Sequence, residues 1–393
     1  MEDAAPDLSR WSKVTNYLSE IIDLDASARE HGALLRRRGV RSAVDLLRLA
    51  LLYGPGGLSL RSVASFACEA GIADVCDVSL LDRLRNCGDW LADVLDQLLA
   101  HKRGQARGQA PGRFCFALVD GSTVSSPGSK GSDWRLHARY EPARGGFTDL
   151  RITPATTAEM LDCVAVFPGD VMVQDRGYAR ARNFAHAREQ GAGFITRIGW
   201  RALKLSGEDG TPFDLMAALP ETGPATVEHL VQIRRGTGKP TIPVRLILVR
   251  KPTEAVEQAC KRVARNACSK GRETDPRTIK AAGFMMLVTS LSPEEASAEE
   301  VLTLYRMRWQ IELAFKRMKS LGGFGELRSH DPRLVRTWLL AHLITVVLIE
   351  ASLDDDLDSP PLSPPHRQPA VESYPSGAAG KSPTSKSRAP SAQ

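Results

Sequence analysis

Hydrophobic and polar positions follow different spacings in successive parts of the chain. Up to about residue 105, apolar side chains recur at helical intervals, which predicts helices at Ala43–Leu52, Leu60–Ala70 and Ser79–Ala100. Between Phe114 and Ile198, short apolar runs are separated by turns and interrupted by one stretch of helical composition. The pattern therefore predicts an N-terminal helical region followed by a mixed α/β core.

The second half of the chain continues this core after an interruption. Residues 200–283 alternate short β-like segments with Gly and Pro turns and end in a basic helix, which is typical of a mostly β insertion. From residue 354 onward the sequence is rich in Pro and Ser and poor in large apolar side chains, so a disordered tail is predicted over 354–393. The predicted elements from residue 114 onward are strands at Phe114–Val119, Arg135–Tyr140, Gly146–Ile152, Asp170–Val173, Gly193–Ile198, Ala202–Leu205, Thr226–Ile233, Ile242–Val249 and Phe284–Ser290, and helices at Ala179–Gln190, Thr253–Cys268 and Ser297–Leu321.

Charge is distributed unevenly over the 393 residues. The formal net charge is +6, but residues 176–280 hold 20 Lys and Arg against 10 Asp and Glu. Arg234, Arg235 and Lys239 lie on a Gly-rich turn, whereas Lys261, Arg262 and Arg265 lie on the basic helix. Two such clusters favour a polyanionic partner such as the backbone of duplex DNA, the alternative being an ordinary solvated face.

Composition narrows the class of protein. With 42% apolar and 25% charged residues, the chain resembles a globular protein and not a coiled coil or a collagen. The seven cysteines have no metal-like spacing, which does not favour disulfides or structural zinc. The apolar run Trp338–Ile349 is interrupted by His342 and is shorter than the roughly 20 residues of a membrane span. We expect a cytoplasmic protein with no membrane partner, beside the nucleoid if the source is bacterial.

The N-terminal region contains one candidate DNA-reading unit. Leu60–Ala70 and Ser79–Cys87 could form a helix-turn-helix whose second helix carries Arg83 and Arg85. The connection is longer than a tight turn, so a plain helical domain with surface arginines is an equal alternative.

Two aspartates stand where catalytic groups often lie in α/β sheets. Asp120 and Asp175 each follow an apolar run and precede a glycine, in Asp-Gly-Ser and Asp-Arg-Gly-Tyr. This predicts that both side chains lie at strand ends, where such sheets bind ligands. Asp-Gly and Asp-x-Gly are also common turn sequences, so each aspartate taken singly is more typical of a turn.

The predicted helix Leu302–Leu321 carries a polar row beside its apolar seam. At about 100° per residue, Tyr305, Arg308, Glu312 and Lys319 fall within one stripe of about 60°. A polar row next to the buried face is difficult to explain by solubility alone. Arg308 and Glu312 also have the spacing of a simple helix salt bridge.

These four residues spell Y-x2-R-x3-E-x6-K, which resembles the signature of the IS4-type DDE transposases, a family that includes the Tn5 transposase. Asp120-Gly121-Ser122 and Asp175-Arg176-Gly177-Tyr178 resemble the other two acidic motifs of that family in the expected order. The resemblance spans about residues 40–350. It implies an RNase H-like mixed sheet with a mostly β insertion, and a metal-binding triad of Asp120, Asp175 and Glu312.

The resemblance also gives roles to the predicted regions and basic side chains. It suggests that Tyr305, Arg308 and Lys319 contact DNA phosphates, and Arg176, Arg234 and Arg235 are further candidates in the basic region. The family also uses an aromatic residue of the insertion to stack on a flipped base, but Trp200 has no firm match to it and is interpreted as packing.

The implied organisation is 1–105, a helical DNA-binding domain; 106–199, the first part of the catalytic core; 200–283, the insertion; 284–353, the second part of the core with the Glu helix; and 354–393, the tail.

The chemistry of three carboxylates agrees with this resemblance. Hard oxygen ligands suit two Mg²⁺ or Mn²⁺ ions, which can activate water or a 3′-hydroxyl for in-line attack on a phosphodiester. The expected function is a transposase that binds terminal inverted repeats, cleaves the strand and transfers it to target DNA, as a homodimer on double-stranded DNA. The alternatives are a catalytically silent copy with an altered C-terminus, which would inhibit transposition by occupying the repeats, and a bare nuclease of the same fold.

Overall fold

The computed structural model describes residues 8–106, 114–129, 131–221, 225–269, 271–324 and 327–356. Most of the predicted tail, and the stretch 107–113 after the N-terminal helices, lie outside the described residues. The helices are α1 (Leu8–Ile21), α2 (Leu24–Glu30), α3 (Ala43–Tyr53), α4 (Leu60–Glu69), α5 (Asp77–Arg85), α6 (Gly88–Ala106), α7 (Ala181–Glu189), α8 (Thr253–Cys268), α9 (Pro276–Ala282), α10 (Ala298–Arg306), α11 (Trp309–Gly322) and α12 (Pro332–Asp356). The strands are β1 (Cys115–Val124), β2 (Trp134–Glu141), β3 (Gly146–Pro154), β4 (Asp170–Gln174), β5 (Gly193–Arg197), β6 (Leu205–Ser206), β7 (Thr226–Ile233), β8 (Ile242–Arg250) and β9 (Phe284–Thr289).

The strands form one mixed sheet in the order β3-β2-β1-β4-β5-β9-β8-β7-β6. β1, β2 and β3 form an antiparallel meander, and β4 then pairs parallel with both β1 and β5. The predicted mixed α/β core is confirmed. Because β1, β4 and β5 point the same way, the residues that follow them meet at one edge of the sheet.

The segment predicted as an insertion continues the same sheet. β9 pairs antiparallel with both β5 and β8, and β8 pairs with β7 in a long hairpin. The predicted bounds of β7 and α8 agree with the structure. Residues 200–283 therefore extend the sheet at β9 instead of forming a second sheet, and the division into domains stays a prediction.

Helices cover the two faces of the sheet. Leu118, Val173 and Ile195 pack in the same hydrophobic cluster as the buried side chains of α6, α11 and α12. Alternate residues of the same strands, such as Val119 and Met172, pack on the other face with Phe184 of α7. This alternation follows from the period of two in a β-strand, and it fixes which strand residues face α11.

The N-terminal helices differ from their predicted pattern in one place. The helix predicted over Ser79–Ala100 is wrong, because the chain breaks at Asn86 and Cys87 into α5 and α6. The guanidinium of Arg85 pairs with Asp331 at 2.6 Å, and Arg83 donates to the carbonyl of Arg36 at 3.3 Å. Both arginines of the candidate reading helix thus bind within the chain.

The helix α12 is longer than the apolar run seen in the sequence. Its window Pro332–Ser352 is 21 residues long and apolar enough to cross a membrane by composition, yet 67% of that window is buried inside the protein. Trp338, Leu343 and Ile344 are among its buried side chains. This burial is typical of a core helix, and α12 packs against α3, α5, α6 and β3.

A buried ionic network ties β4 to the meander. Arg139 of β2 is 1% exposed and forms ion pairs with Glu141 and with Asp170, the first residue of β4. Burial raises the pKa of Glu141, but the charge and hydrogen bond of Arg139 outweigh it, so this pKa lies below its ordinary value. The network fixes the start of β4, the strand that Asp175 directly follows.

We expect Arg139→Ala to lower the free energy of unfolding by about 3–5 kcal/mol, because it leaves the buried carboxylate of Asp170 without its cation and that of Glu141 with Arg144 alone. Arg182→Ala is the matched control, since Arg182 forms an exposed pair with Asp162 at 2.7 Å. The free energy of unfolding of Arg182→Ala should lie within about 1 kcal/mol of the wild type. Urea denaturation of the three proteins measures both values, and equal losses would show that the Arg139 network does not stabilise the sheet.

Candidate active site

Asp120 lies within β1 and not at its end. The strand continues to Val124 because β2 pairs with it beyond this point, with Asp120 opposite Ala138. The prediction that Asp120 ends a strand is therefore wrong. The parallel pairing with β4 does stop at Val119 and Gln174, so Asp120 is the first residue of β1 beyond the end of β4.

Asp175 directly follows β4, as predicted. Its carboxylate accepts a hydrogen bond from the amide of Gly177 at 2.6 Å and caps a short 3-10 turn, Arg176–Tyr178. Asp175 thus forms a turn, as its sequence suggests, and it also lies beside Asp120 on the neighbouring strand. We call the end of the sheet that holds Asp120 and Asp175 the carboxylate edge.

Glu312 lies on α11, which packs against β1. The single helix predicted over Ser297–Leu321 is wrong, because the chain forms α10 and α11 with a tighter turn at Met307 and Arg308. At this junction the amide of Arg308 bonds to the carbonyl of Tyr305, three residues earlier, at 3.1 Å. The turn changes the angular spacing across the junction, so the predicted stripe is only approximate.

Arg308 joins two of the three predicted carboxylates. Its guanidinium lies 3.1 Å from Asp120 and also pairs with Glu312. Burial is the largest influence on Asp120 and raises its pKa to about 6; the Gly121 amide and Arg308 oppose this rise, whereas Asp175 and Glu159 add to it. A strand and a helix far apart in sequence thus meet around one cation.

The other two residues of the helix motif lie on either side of Arg308. Tyr305 is 7% exposed, and burial raises its pKa although the charge of Arg308 opposes the rise. Lys319 donates a hydrogen bond to the carbonyl of Thr123 on β1 at 3.2 Å. Tyr305 is therefore placed to support Arg308, and Lys319 lies along the part of β1 that continues past Asp120.

Sequence reasoning missed a fourth carboxylate at this edge. Glu159 pairs with Arg135 of β2 at 3.2 Å and lies beside the glycines that follow the two aspartates. A Cβ on Gly177 would lie 2.0 Å from Oε2 of Glu159, and one on Gly121 would lie 3.3 Å from its Oε1. Glu159 belongs to no motif. The one feature of the sequence that relates to it is the pair of glycines, Gly121 and Gly177, that lie beside its carboxylate.

Two basic side chains that the sequence did not single out, Lys251 and Arg197, also lie at the carboxylate edge. Burial lowers the pKa of Lys251, and the positive charges of Arg197, Arg176 and Arg262 lower it further. Arg197 ends β5, which runs parallel to β4, so it lies on the same edge as Asp175. Arg176 directly follows Asp175 and lies near these cations, and its contact with DNA stays a prediction.

Arg234 and Arg235 are not brought to this edge. They follow the end of β7, which runs opposite to β8 and therefore ends at the other side of the sheet. Arg235 lies 3.6 Å from Glu189, the last residue of α7, and Arg234 is exposed. Their separation from the carboxylate edge is about 25 Å, the length of an eight-residue strand.

Trp200 lies between two arginines. The guanidinium carbons of Arg201 and Arg277 lie 4.2 Å and 4.9 Å from its ring centroid, and its indole donates to Thr278 at 3.3 Å. These contacts agree with the interpretation of Trp200 as a packing residue.

The donor set suits a divalent ion, and a guanidinium lies between two of its carboxylates. Among the described residues, no three Asp, Glu, His or Cys side chains converge closely enough to bind an ion. Arg308 instead neutralises Asp120 and Glu312. Carboxylates gathered around one positive group, beside a third at the end of β4, have the chemistry of a hard-cation site. The geometry thus defines a candidate site for phosphoryl transfer on a mixed α/β scaffold.

Comparisons with known proteins agree with this class. Residues 111–348 match the family described as Transposase DDE domain. The chain is 40% identical over 359 residues to the InsL protein of insertion sequence element IS186A from Escherichia coli K12, covering 90% of this chain and 96% of that protein. It is 39% identical over 360 residues to the transposase of IS421 from Escherichia coli, with the same coverage.

A solved structure of piggyBac transposase in a synaptic complex with hairpin DNA also aligns, with a TM-score of 0.39 and 9% identity over 86% of this chain and 73% of that one.

The family model and the two insertion-sequence relatives show that the chain belongs to the IS4-type DDE transposase family. It is therefore an enzyme of DNA cleavage and strand transfer, in a family that uses divalent metal ions.

We expect Arg308→Gln to lower the stability of the metal-free protein at pH 8 by about 1–3 kcal/mol, because the buried carboxylate of Asp120 loses its partner. Stabilisation by added Mg²⁺ should grow, since the ion no longer competes with Arg308. Arg306→Gln, on the preceding turn, is the control. Thermal melts with and without Mg²⁺ provide both readouts, and a variant that melts like the wild type under both conditions would contradict the bridge.

Proposed function

We propose that Asp120, Asp175 and Glu312 are the catalytic triad that cuts DNA at the ends of an insertion element. The observation that carries this proposal is the Arg308 bridge, which brings Asp120 of β1 and Glu312 of α11 to one cation beside the end of β4. The order β3-β2-β1-β4-β5, an antiparallel meander leading into parallel strands, supports an RNase H-like core around this triad.

Two Mg²⁺ or Mn²⁺ ions are the proposed cofactors, held by Asp120, Asp175 and Glu312. When bound, such ions activate a water or 3′-hydroxyl and stabilise the charge on the leaving oxygen of the phosphodiester. The protein supplies the rigid placement of their ligands. β1 and β4 are buried strands, and α11 is fixed to the sheet through Ile311, which is 0% exposed.

Arg308 is proposed to exchange its carboxylate partners for a DNA phosphate. A guanidinium binds two oxygens of a phosphate as readily as those of carboxylates, so it can change partners without leaving the site. Tyr305 holds the Arg308 turn in place from its buried position, and Lys319 binds a neighbouring phosphate from the next part of α11. These roles agree with the placement of the three side chains around Asp120.

The duplex is proposed to lie across the carboxylate edge and the exposed face of α8. Arg176, Arg197, Lys251 and Arg262 would meet the backbone near the cut, where their mutual repulsion is relieved by phosphate. Arg234 and Arg235 would bind the backbone further away, since they follow the end of β7 at the opposite side of the sheet from the triad.

The full activity is proposed to be recognition of terminal inverted repeats by the N-terminal helices, cleavage, and transfer of the freed 3′-hydroxyl to target DNA, by a homodimer at the nucleoid. The coverage of 96% of the IS186A and IS421 proteins does not favour the alternative of a silent, C-terminally altered inhibitor.

We expect Asp120→Ala, Asp175→Ala and Glu312→Ala each to abolish cleavage of element-end DNA in Mg²⁺, while binding of the same DNA changes little. Each change removes a proposed metal ligand and no cationic contact to phosphate. Glu299→Ala, an exposed carboxylate in the first turn of α10, is the control. Cleavage at near wild-type rate by any one of the three variants would remove that residue from the triad.

The two basic clusters should differ in their effect on cleavage. Removing Arg234 and Arg235 together, or Lys261, Arg262 and Arg265 together, should flatten the dependence of log K on log salt by about 0.9 for each lost phosphate contact. Only the second set, on the α8 face, should also slow single-turnover cleavage of bound DNA. Salt titrations and cleavage assays on both variants measure this, and an unchanged slope would assign that cluster to a solvated face.

A further inference from the structure

The glycines after the two catalytic aspartates are not explained by backbone conformation. Neither Gly121 nor Gly177 belongs to the glycines with positive φ, so another residue could adopt either backbone. A Cβ at Gly177 would lie 2.0 Å from Oε2 of Glu159, so a side chain there would displace this carboxylate. At Gly121 a Cβ would meet Cγ and Oε1 of Glu159 at 3.3 Å. Both glycines therefore make room for one carboxylate.

Glu159 reaches the carboxylate edge from the face opposite α11. Leu136 and Ala138 of β2 pack in the cluster that includes α11, so the alternate residue Arg135, which pairs with Glu159, lies on the other face. The Cβ position of Gly177 lies 2.0 Å from Oε2 of Glu159 and 3.0 Å from Oδ1 of Asp175. These two carboxylate oxygens are thus at most 5.0 Å apart.

The loop that carries Glu159 is fixed in place. Two residues further on, Leu161 is 0% exposed and its amide donates to the side chain of Asn183 on α7 at 3.0 Å. Arg135 holds Oε1 of Glu159, which leaves Oε2 directed towards Gly177 and Asp175. The carboxylate is therefore held in one place at the edge.

A buried hydroxyl beside these carboxylates also lacks a partner. Tyr178 is 0% exposed, and its phenol makes no hydrogen bond to any group in the described ranges. Burial first, and then the charges of Asp120, Glu159 and Asp175, raise its pKa, so the hydroxyl lies near all three. A buried polar atom left unpaired next to three anions is a mark of a site that takes a cation and its water.

We infer that Glu159 is a fourth carboxylate of the divalent-metal site, acting beside Asp175. This rests on the proposed function, because it adds a ligand to the proposed triad. Glu159 approaches the carboxylate edge from the side of the sheet that Glu312 does not reach, where it adds an oxygen ligand of the kind that Mg²⁺ and Mn²⁺ prefer.

Binding of Mn²⁺ alone, measured by titration with electron paramagnetic resonance of the free ion, tests this inference. Glu159→Gln keeps an oxygen for Arg135 but loses the charge, and it should weaken Mn²⁺ binding at least about tenfold or remove one bound ion. Glu159→Asp keeps the charge but withdraws the carboxylate by one methylene, and it should also weaken binding. Glu228→Gln, another glutamate paired with an arginine, is the matched control and should bind like the wild type.

The outcomes separate this inference from the proposed function. If Asp120→Asn loses Mn²⁺ affinity and both Glu159 variants bind within twofold of the wild type, Glu159 only anchors its loop through Arg135 and the inference is overturned. Wild-type affinity in Glu159→Asp with loss in Glu159→Gln would likewise overturn it, since charge alone would then suffice. If Asp120→Asn also binds Mn²⁺ normally, the proposed metal site itself fails. Metal-free melting curves should match the wild type for all Glu159 variants.

Discussion

The pairing of Arg308 with Asp120 and Glu312 is the interaction on which the site depends. It joins β1 to α11 across nearly 190 residues of sequence, and it places a positive charge between the mostly buried carboxylate of Asp120 and the more exposed carboxylate of Glu312. One guanidinium thereby holds both carboxylates at a shared point. In the proposed mechanism the same group binds a DNA phosphate, so stability and DNA binding would both depend on one side chain.

The sheet makes this pairing possible by bringing distant strands to one edge. β1 extends past the end of β4 because β2 continues to pair with it, so Asp120 and Asp175 lie side by side although one is within a strand and the other follows one. β5 adds Arg197 to the same edge by its parallel pairing. The carboxylates proposed as metal ligands and the cations proposed to bind phosphate are thus neighbours, an arrangement that suits cleavage of DNA.

Much of this could be predicted from the sequence where local pattern and local structure agree. β7 and α8 have their predicted bounds, because alternation and helical spacing are undisturbed there. The extension of β1 past Asp120 could not be predicted, since it depends on pairing with a strand that follows a turn. The break between α10 and α11 at Met307 could not be predicted either, because no Gly or Pro lies there. Glu159 lies in a loop without periodicity, and only its contacts with two glycines reveal it.

We propose that Arg308 occupies the position where Asp120 and Glu312 would share a metal ion. A crystal structure of the protein with Mn²⁺ and element-end DNA, using the anomalous signal of manganese, can locate that ion. We expect a manganese peak within about 2.5 Å of a carboxylate oxygen of both Asp120 and Glu312, with the Arg308 guanidinium moved onto a DNA phosphate. A manganese peak away from these carboxylates, with Arg308 still paired to both, would contradict it.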